Sequence, residues 1–359
     1  MTMSTIGTAS KVALRALALL TVAVLAGCGD PVPSAPAQTI AMLTAPPTLA
    51  PTSAAPGPTR IVHRGDETVI VGEPIDIGGL TGRIVTDDFE DLFAMDPDGS
   101  NVVLLADAPG AEFDGDWSPD GRFVVYRDST RGLNEDDEIF VVRSDGRNAV
   151  NITNDPANDW GPAWSPDGST IVFNSDRDGG LRGYFADPDG SDVRPVGVDS
   201  WFEYPAWSPD GTRIVFEGAL GGSYEIFVLE IQSGAVTQLT DAPGDDSWPV
   251  WSPDGSMIAF SSERDACRLA PQTQECWDDG EPDDDHRDIW LMAADGTDQR
   301  RVSGEIGQFV AFSPDGAYLL VSGHALFVVR LDGTGRVELR ADGMPLALGG
   351  IPDWTDAIP

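Results

Sequence analysis

The chain has 359 residues, of which 59 are Asp or Glu and 22 are Lys or Arg, for a formal net charge of −37. So few cations cannot build a basic face that follows a phosphate backbone, which excludes nucleic acid as a partner. Lys11 is the one lysine, and it lies in a segment read below as removed on export, so Schiff-base and phosphate-cradling lysine chemistry are excluded too. With 41% hydrophobic residues the acidity is not a mark of disorder, and the length suits two domains or one large β domain.

At the amino terminus, Lys11 and Arg15 precede an apolar stretch over residues 16–26. Positive, then apolar, then small residues is the order of a secretory signal peptide, and the stretch is too short for a comfortable membrane span. It ends Leu25-Ala26-Gly27-Cys28, which resembles the lipobox of bacterial lipoproteins. That resemblance implies a signal peptide over 1–27, a lipid on Cys28, and an exported, extracytoplasmic protein lipid-anchored to the cell envelope. Membrane contact is then expected through the lipid alone, because anionic surfaces repel so acidic a chain. Residues 28–60 alternate Pro31, Pro33, Pro36, Pro46, Pro47, Pro51, Pro56 and Pro58 with Ala, Thr and Ser. They read as a semi-extended tether of ~3 Å per residue, followed by a lead-in segment over 61–79. Cys267 and Cys276 are the remaining cysteines. Export favours a disulfide between them, of modest stabilisation because the loop is short; two free thiols are the alternative.

One pattern governs the rest. Trp117, Trp164, Trp207 and Trp251 each begin Trp-Ser-Pro-Asp-Gly, Phe312 begins the variant Phe-Ser-Pro-Asp-Gly, and Trp354 is the last aromatic in register. The spacings are 47, 43, 44, 61 and 42 residues, and a period in the forties with turn residues at fixed offsets signals a β-propeller. In the turn Pro presets φ, Asp caps and Gly accepts a left-handed conformation. A β-prone run follows each turn (123–126, 171–173, 214–216, 258–260, 318–321), then a second (138–142, 184–185, 225–228, 288–291, 325–329), then an Asp-Gly or Ser-Gly turn and a third run. Before Trp117 stand three runs, 82–85, 92–95 and 102–105, with no inner strand of their own. Residues 350–354 are an inner strand with nothing after it. Joined, they complete a blade. The fold is therefore expected to be all-β over residues 80–359: a six-bladed β-propeller of four-stranded blades, closed by pairing the N-terminal strands with a C-terminal inner strand, which removes an open edge. Trp117, Trp164, Trp207, Trp251, Phe312 and Trp354 are expected to wedge between blades.

These repeats, with the loops Asn174-Ser-Asp-Arg-Asp178 and Ser261-Ser-Glu-Arg-Asp265 and the Ile-Phe-Val…Asp-Gly hairpins, resemble the TolB-type, WD-repeat-like β-propeller family over about residues 80–356. The resemblance implies a binding or scaffold module for an envelope protein, peptide or glycan, working as a monomer. The alternative is a metal-dependent hydrolase or lyase with its site in an acidic central channel.

Function is expected on the face that carries the long loops after the second and fourth strands. Five residues before each blade aromatic stand Glu112, Asp159, Phe202, Asp246, Gly307 and Gly349, with Asp155, Asp199, Asp241 and Asp245 nearby. Glu112, Asp159 and Asp246 either ring the channel mouth and bind a cation, Ca²⁺ above all, or cap loops through backbone N–H groups. The blade with the 61-residue spacing carries an insertion with Cys267, Cys276, Asp278, Asp279, Glu281, Asp283, Asp284, Asp285 and His286. It reads as a Ca²⁺ site without EF-hand spacing, as a solvated acidic loop, or as a recognition element. The Asp-Pro-Asp-Gly segments at 96–99 and 187–190 fall at third-to-fourth strand turns. No two of His63, His286 and His324 hold equivalent blade positions, and Gly-x-Ser-x-Gly is absent, so no catalytic set is assigned.

Overall fold

The computed structural model describes residues 60–64, 67–71, 75–88, 90–106, 110–129, 137–198, 200–220, 222–264, 287–323, 325–341, 344–345 and 350–357. Cys28, the tether to residue 59 and the insertion with Cys267 and Cys276 lie outside them, as do His286 and His324.

Six four-stranded antiparallel sheets form the blades of a propeller. From the inner strand outward, blade 1 is Asp353–Thr355, Arg83–Asp87, Leu92–Met95 and Val103–Ala106. Blade 2 is Ala111–Trp117, Phe123–Ser129, Asp137–Arg143 and Val150–Asn151. Blade 3 is Asp159–Trp164, Ile171–Ser175, Arg182–Ala186 and Arg194–Pro195. Blade 4 is Glu203–Trp207, Arg213–Leu220, Ser223–Glu230 and Ala235–Gln238. Blade 5 is Asp246–Trp251, Met257–Ser262, Asp288–Ala293 and Arg300–Ile306. Blade 6 is Phe309–Phe312, Tyr318–Ser322, Phe327–Arg330 and Val337–Glu338.

The expected closure is present. Asp353, Trp354 and Thr355 pair with Val85, Ile84 and Arg83, so the two ends of the propeller segment share blade 1. Two further strand pairs, Arg60–Arg64 with Glu67–Val71 and Arg340–Ala341 with Met344–Pro345, were not foreseen. The first follows the β-branched run of Ile61, Val62, Thr68, Val69, Ile70 and Val71, which suits a pleated strand.

Each blade is covered on both faces by its neighbours, so its second strand is apolar without alternation. Val124 belongs to the core between blades 1 and 2, and Val125 to the core between blades 2 and 3. Six such interblade cores contain one repeat aromatic each. Trp354 packs with Leu320 and Val328 of blade 6, and Trp117 with Val85 and Leu92 of blade 1. Trp164, Trp207, Trp251 and Phe312 occupy the next four.

The Ser-Pro-Asp-Gly turns repeat to within a few degrees. Gly121, Gly168, Gly211, Gly255 and Gly316 have φ of +67°, +68°, +70°, +69° and +68°. In the blade 4 turn the Gly211 N–H donates to the Ser208 carbonyl over 2.8 Å, the Ser208 hydroxyl to Asp210 Oδ1 over 2.6 Å, and the Arg213 N–H to Ser208 Oγ over 3.0 Å. The Ser208 hydroxyl, and then the Thr212 N–H and hydroxyl, hold the Asp210 carboxyl at about 2, below its usual 3.8. Among the described residues, no helix is long and apolar enough to cross a membrane.

Candidate functional site: the acidic central channel

The innermost strand of each blade is a sheet edge facing the channel, and an edge tolerates residues that a ladder would reject. Two residues before the aromatic stand Pro162, Pro205, Pro249 and Pro352, whose missing N–H leaves no ladder bond unmade. Three residues before it the strand bulges in blades 2 to 5. Asp114, Gly161, Tyr204 and Trp248 take left-handed φ of 57°, 57°, 44° and 51° there.

The N–H exposed at the bulges of blades 3, 4 and 5 is caught by the preceding blade. Asp114 accepts from Gly161, Asn174 Oδ1 from the Tyr204 N–H over 3.1 Å, and Glu217 Oε2 from the Trp248 N–H over 3.4 Å. One turn deeper, the Trp117 N–H donates to Asp353 Oδ2 over 3.0 Å and the Trp164 N–H to Asp116 Oδ2 over 2.6 Å. These acceptors thus stitch blade to blade, and of them Asp114, Asp116 and Asp353 line the channel.

The inner strands enclose a cavity of about 250 Å³ whose walls include Asp114, Asp116, Asp353, Tyr204 and Trp248. Asp116 and Asp353 are hydrogen-bonded to each other, and both keep part of their surface open to it. Burial first, and then the charge of Asp353, raises the Asp116 carboxyl well above its usual range; burial raises Asp353 as well. A like charge this close disfavours ionisation of Asp116. Burial also raises Asp114, against the pull of Arg127, whose Nη1 lies 3.7 Å from Asp114 Oδ2. At the mouth the Tyr204 and Trp248 rings stand 5.9 Å apart at 59°, and Phe309 meets Trp248 edge-on at 4.8 Å. Behind them Glu217 is pushed up to about 8 by burial and then by the Glu203 charge.

Glu112, Asp159 and Asp246 are each fully buried, at 0% exposure, and none lines the cavity. Arg177 from the Asn174–Asp178 loop grips Asp159 through Nη2 with both contacts at 3.0 Å, and Arg264 from the matching loop of blade 5 pairs with Asp246. Burial outweighs Ser175 and Arg177 and takes Asp159 to about 6. Glu112 stands opposite Asp128 across its own blade. Asp155 accepts from the Ala157 N–H over 3.1 Å and Asp245 from the Tyr224 N–H over 2.9 Å. Among the described residues no group of three or more His, Cys, Asp or Glu stands close enough to hold a metal. Asp199 and the acids of the insertion, Asp278, Asp279, Glu281, Asp283, Asp284 and Asp285, lie outside those residues. The bulge inserts one residue after Glu112, Asp159 and Asp246, and the channel wall falls to the positions one to three before the aromatic. The prolines were the visible signal of an inner edge.

A family model described as the TolB beta propeller domain matches residues 98–204 and 200–273. The chain carries a TolB-type β-propeller. TolB from Acinetobacter baumannii is similar at 21% identity with a TM-score of 0.58, over 79% of this chain and 68% of that one. A structure assigned to TolB of Agrobacterium tumefaciens matches at 18% identity and a TM-score of 0.56, over 76% and 91%. A chain of a nidogen/laminin complex matches at 11% identity and a TM-score of 0.58, over 78% and 100%. At these identities the likeness to the TolB-type structures is one of fold. No curated protein sequence matches the chain.

Proposed function

We propose that the protein is an exported, lipid-anchored propeller acting as a non-catalytic binding or scaffold module for an envelope protein, peptide or glycan. The observation that carries this reading is an aromatic pair on the long-loop face of blade 4. Trp201, in the loop entering the blade, is 37% exposed. Its ring stands 6.1 Å from Tyr224, at the start of the third strand, and its Nε1 donates to Glu203 over 2.7 Å. A large, half-open aromatic with its polar edge already fixed is the kind of residue that anchors interfaces. The nidogen/laminin match supports the same reading, since that similar chain was solved in a complex between proteins.

Crosslinking in the native envelope followed by recovery of the protein tests the proposal. A specific protein or glycan should be recovered with the natural chain and lost with Trp201→Ala; recovery of nothing specific would sink it. The anchor has its own test: Cys28→Ser should move the protein from the membrane fraction to the soluble fraction, and retention by membranes would refute lipidation.

A further inference from the structure

We propose that the central channel is a binding site for a small organic primary ammonium ion, an alkylamine or diamine. Its nitrogen sits on the Asp116–Asp353 carboxyl pair and its alkyl chain lies against Tyr204 and Trp248. This goes beyond the long-loop partner reading and stands or falls separately from it.

The cavity sets the size. At about 250 Å³ it is smaller than the roughly 300–1,000 Å³ of sites for drug-sized molecules, so the occupant is short. Its walls set the charge. Asp114, Asp116 and Asp353 line it and no Arg or Lys does so among the described residues; Arg127 approaches Asp114 from behind the wall. The Tyr204 ring favours the same sign, because an ammonium group is attracted to the face of an aromatic ring; the Trp248 ring already carries the Arg287 guanidinium, 4.8 Å from its centroid. Apolar Pro205, Pro249 and Ile351 line the same cavity and suit an alkyl chain.

The hydrogen-bonding geometry selects a primary amine. The Trp117 and Trp164 N–H groups each fix one oxygen of Asp353 and Asp116, so both carboxyls are held in orientation before a ligand arrives. A primary ammonium brings three donors to such acceptors, whereas a quaternary ammonium or an alkali ion brings none. The placement of the rings is a separate observation. Tyr204 and Trp248 occupy left-handed backbone that bulky residues avoid, at a position where blade 3 carries Gly161. The fold therefore accepts glycine at this position, and the two rings are an addition to it. Strained conformations of this kind collect at ligand sites.

Calorimetric titration of the purified full-length protein with 1,5-diaminopentane dihydrochloride decides the matter. Expected is saturable binding that is weakened at least tenfold by Asp353→Asn and likewise by Trp248→Gly. Tetramethylammonium chloride, sodium chloride at matched ionic strength and 1,5-pentanediol should give no comparable binding. Trp248→Gly relieves the backbone and so keeps the test valid even where Asp353→Asn weakens the fold. Absence of saturable binding, equal binding of sodium or tetramethylammonium, or a titration indifferent to both substitutions would overturn the proposal. None of these outcomes bears on recovery of a protein partner.

Discussion

Glu217 faces Glu203 across blade 4, is only 4% exposed, and has its carboxyl raised from 4.5 to about 8, mainly by burial. The unfolded chain ionises this group near 4.5, while the folded chain keeps the proton until about 8. The folded state thus holds the extra proton between those values. This contribution to stability is complete below the lower one and is lost as pH rises through the upper one. Glu217→Gln keeps an acceptor for the Trp248 N–H and cannot ionise. Thermal unfolding should show the variant gaining on the natural protein by on the order of a few kcal/mol at pH 8.5 and by less than about 1 kcal/mol at pH 5; parallel pH profiles would refute the assignment. The interblade aromatics make a second residue-scale case. Trp164 is 6% exposed and packs on Val125, Ile139 and Val141 of blade 2, so Trp164→Ala should cost about 3–5 kcal/mol in urea unfolding.

The repeated turn is the unit of the element scale, and its copies are not equivalent. A Cβ on Gly211 would touch the Pro166 ring at 3.4 Å and nothing closer. Gly211→Ala therefore carries little more than backbone strain at φ +70°, about 1 kcal/mol. A Cβ on Gly121 would fall 2.2 Å from the Ala357 carbonyl oxygen, so the C-terminal segment must move. Gly121→Ala should be worse than Gly211→Ala by ~1–3 kcal/mol in the same unfolding experiment, and equal losses would argue against that contact. The acids of these turns have a local task. Asp210 and Asp254 are lowered by the hydroxyl and N–H groups they hold, in contrast to the channel acids, which burial raises.

At the scale of the whole molecule the closure of blade 1 matters most. Asp353–Thr355 covers the edge of Arg83–Asp87, Trp354 fills the core toward blade 6, and Asp353 accepts from blade 2. A chain ending at residue 350 loses all three and bares a strand edge, which invites association. It should elute larger as concentration rises and unfold less cooperatively than the full chain; a monomeric, equally stable truncation would show that the closure contributes little.

The six blades, their shared closure and the interblade role of the aromatics were legible in the sequence because each rests on local chemistry repeated at a fixed offset. A Ser-Pro-Asp-Gly turn folds the same way wherever it occurs, and a strand covered on both sides must be apolar throughout. Part of the acidity was legible for the same reason, as turn carboxylates such as Asp120, Asp167 and Asp254. The channel was decided by tertiary structure. Asp116 and Asp353 become neighbours only when the ring closes, and Arg177 and Arg264 claim Asp159 and Asp246 only once their loops fold back on their own blades. Above all, a one-residue bulge reverses which side chains face the channel. Sequence alternation carries no mark of that shift, because the bulge is held by hydrogen bonds from the preceding blade.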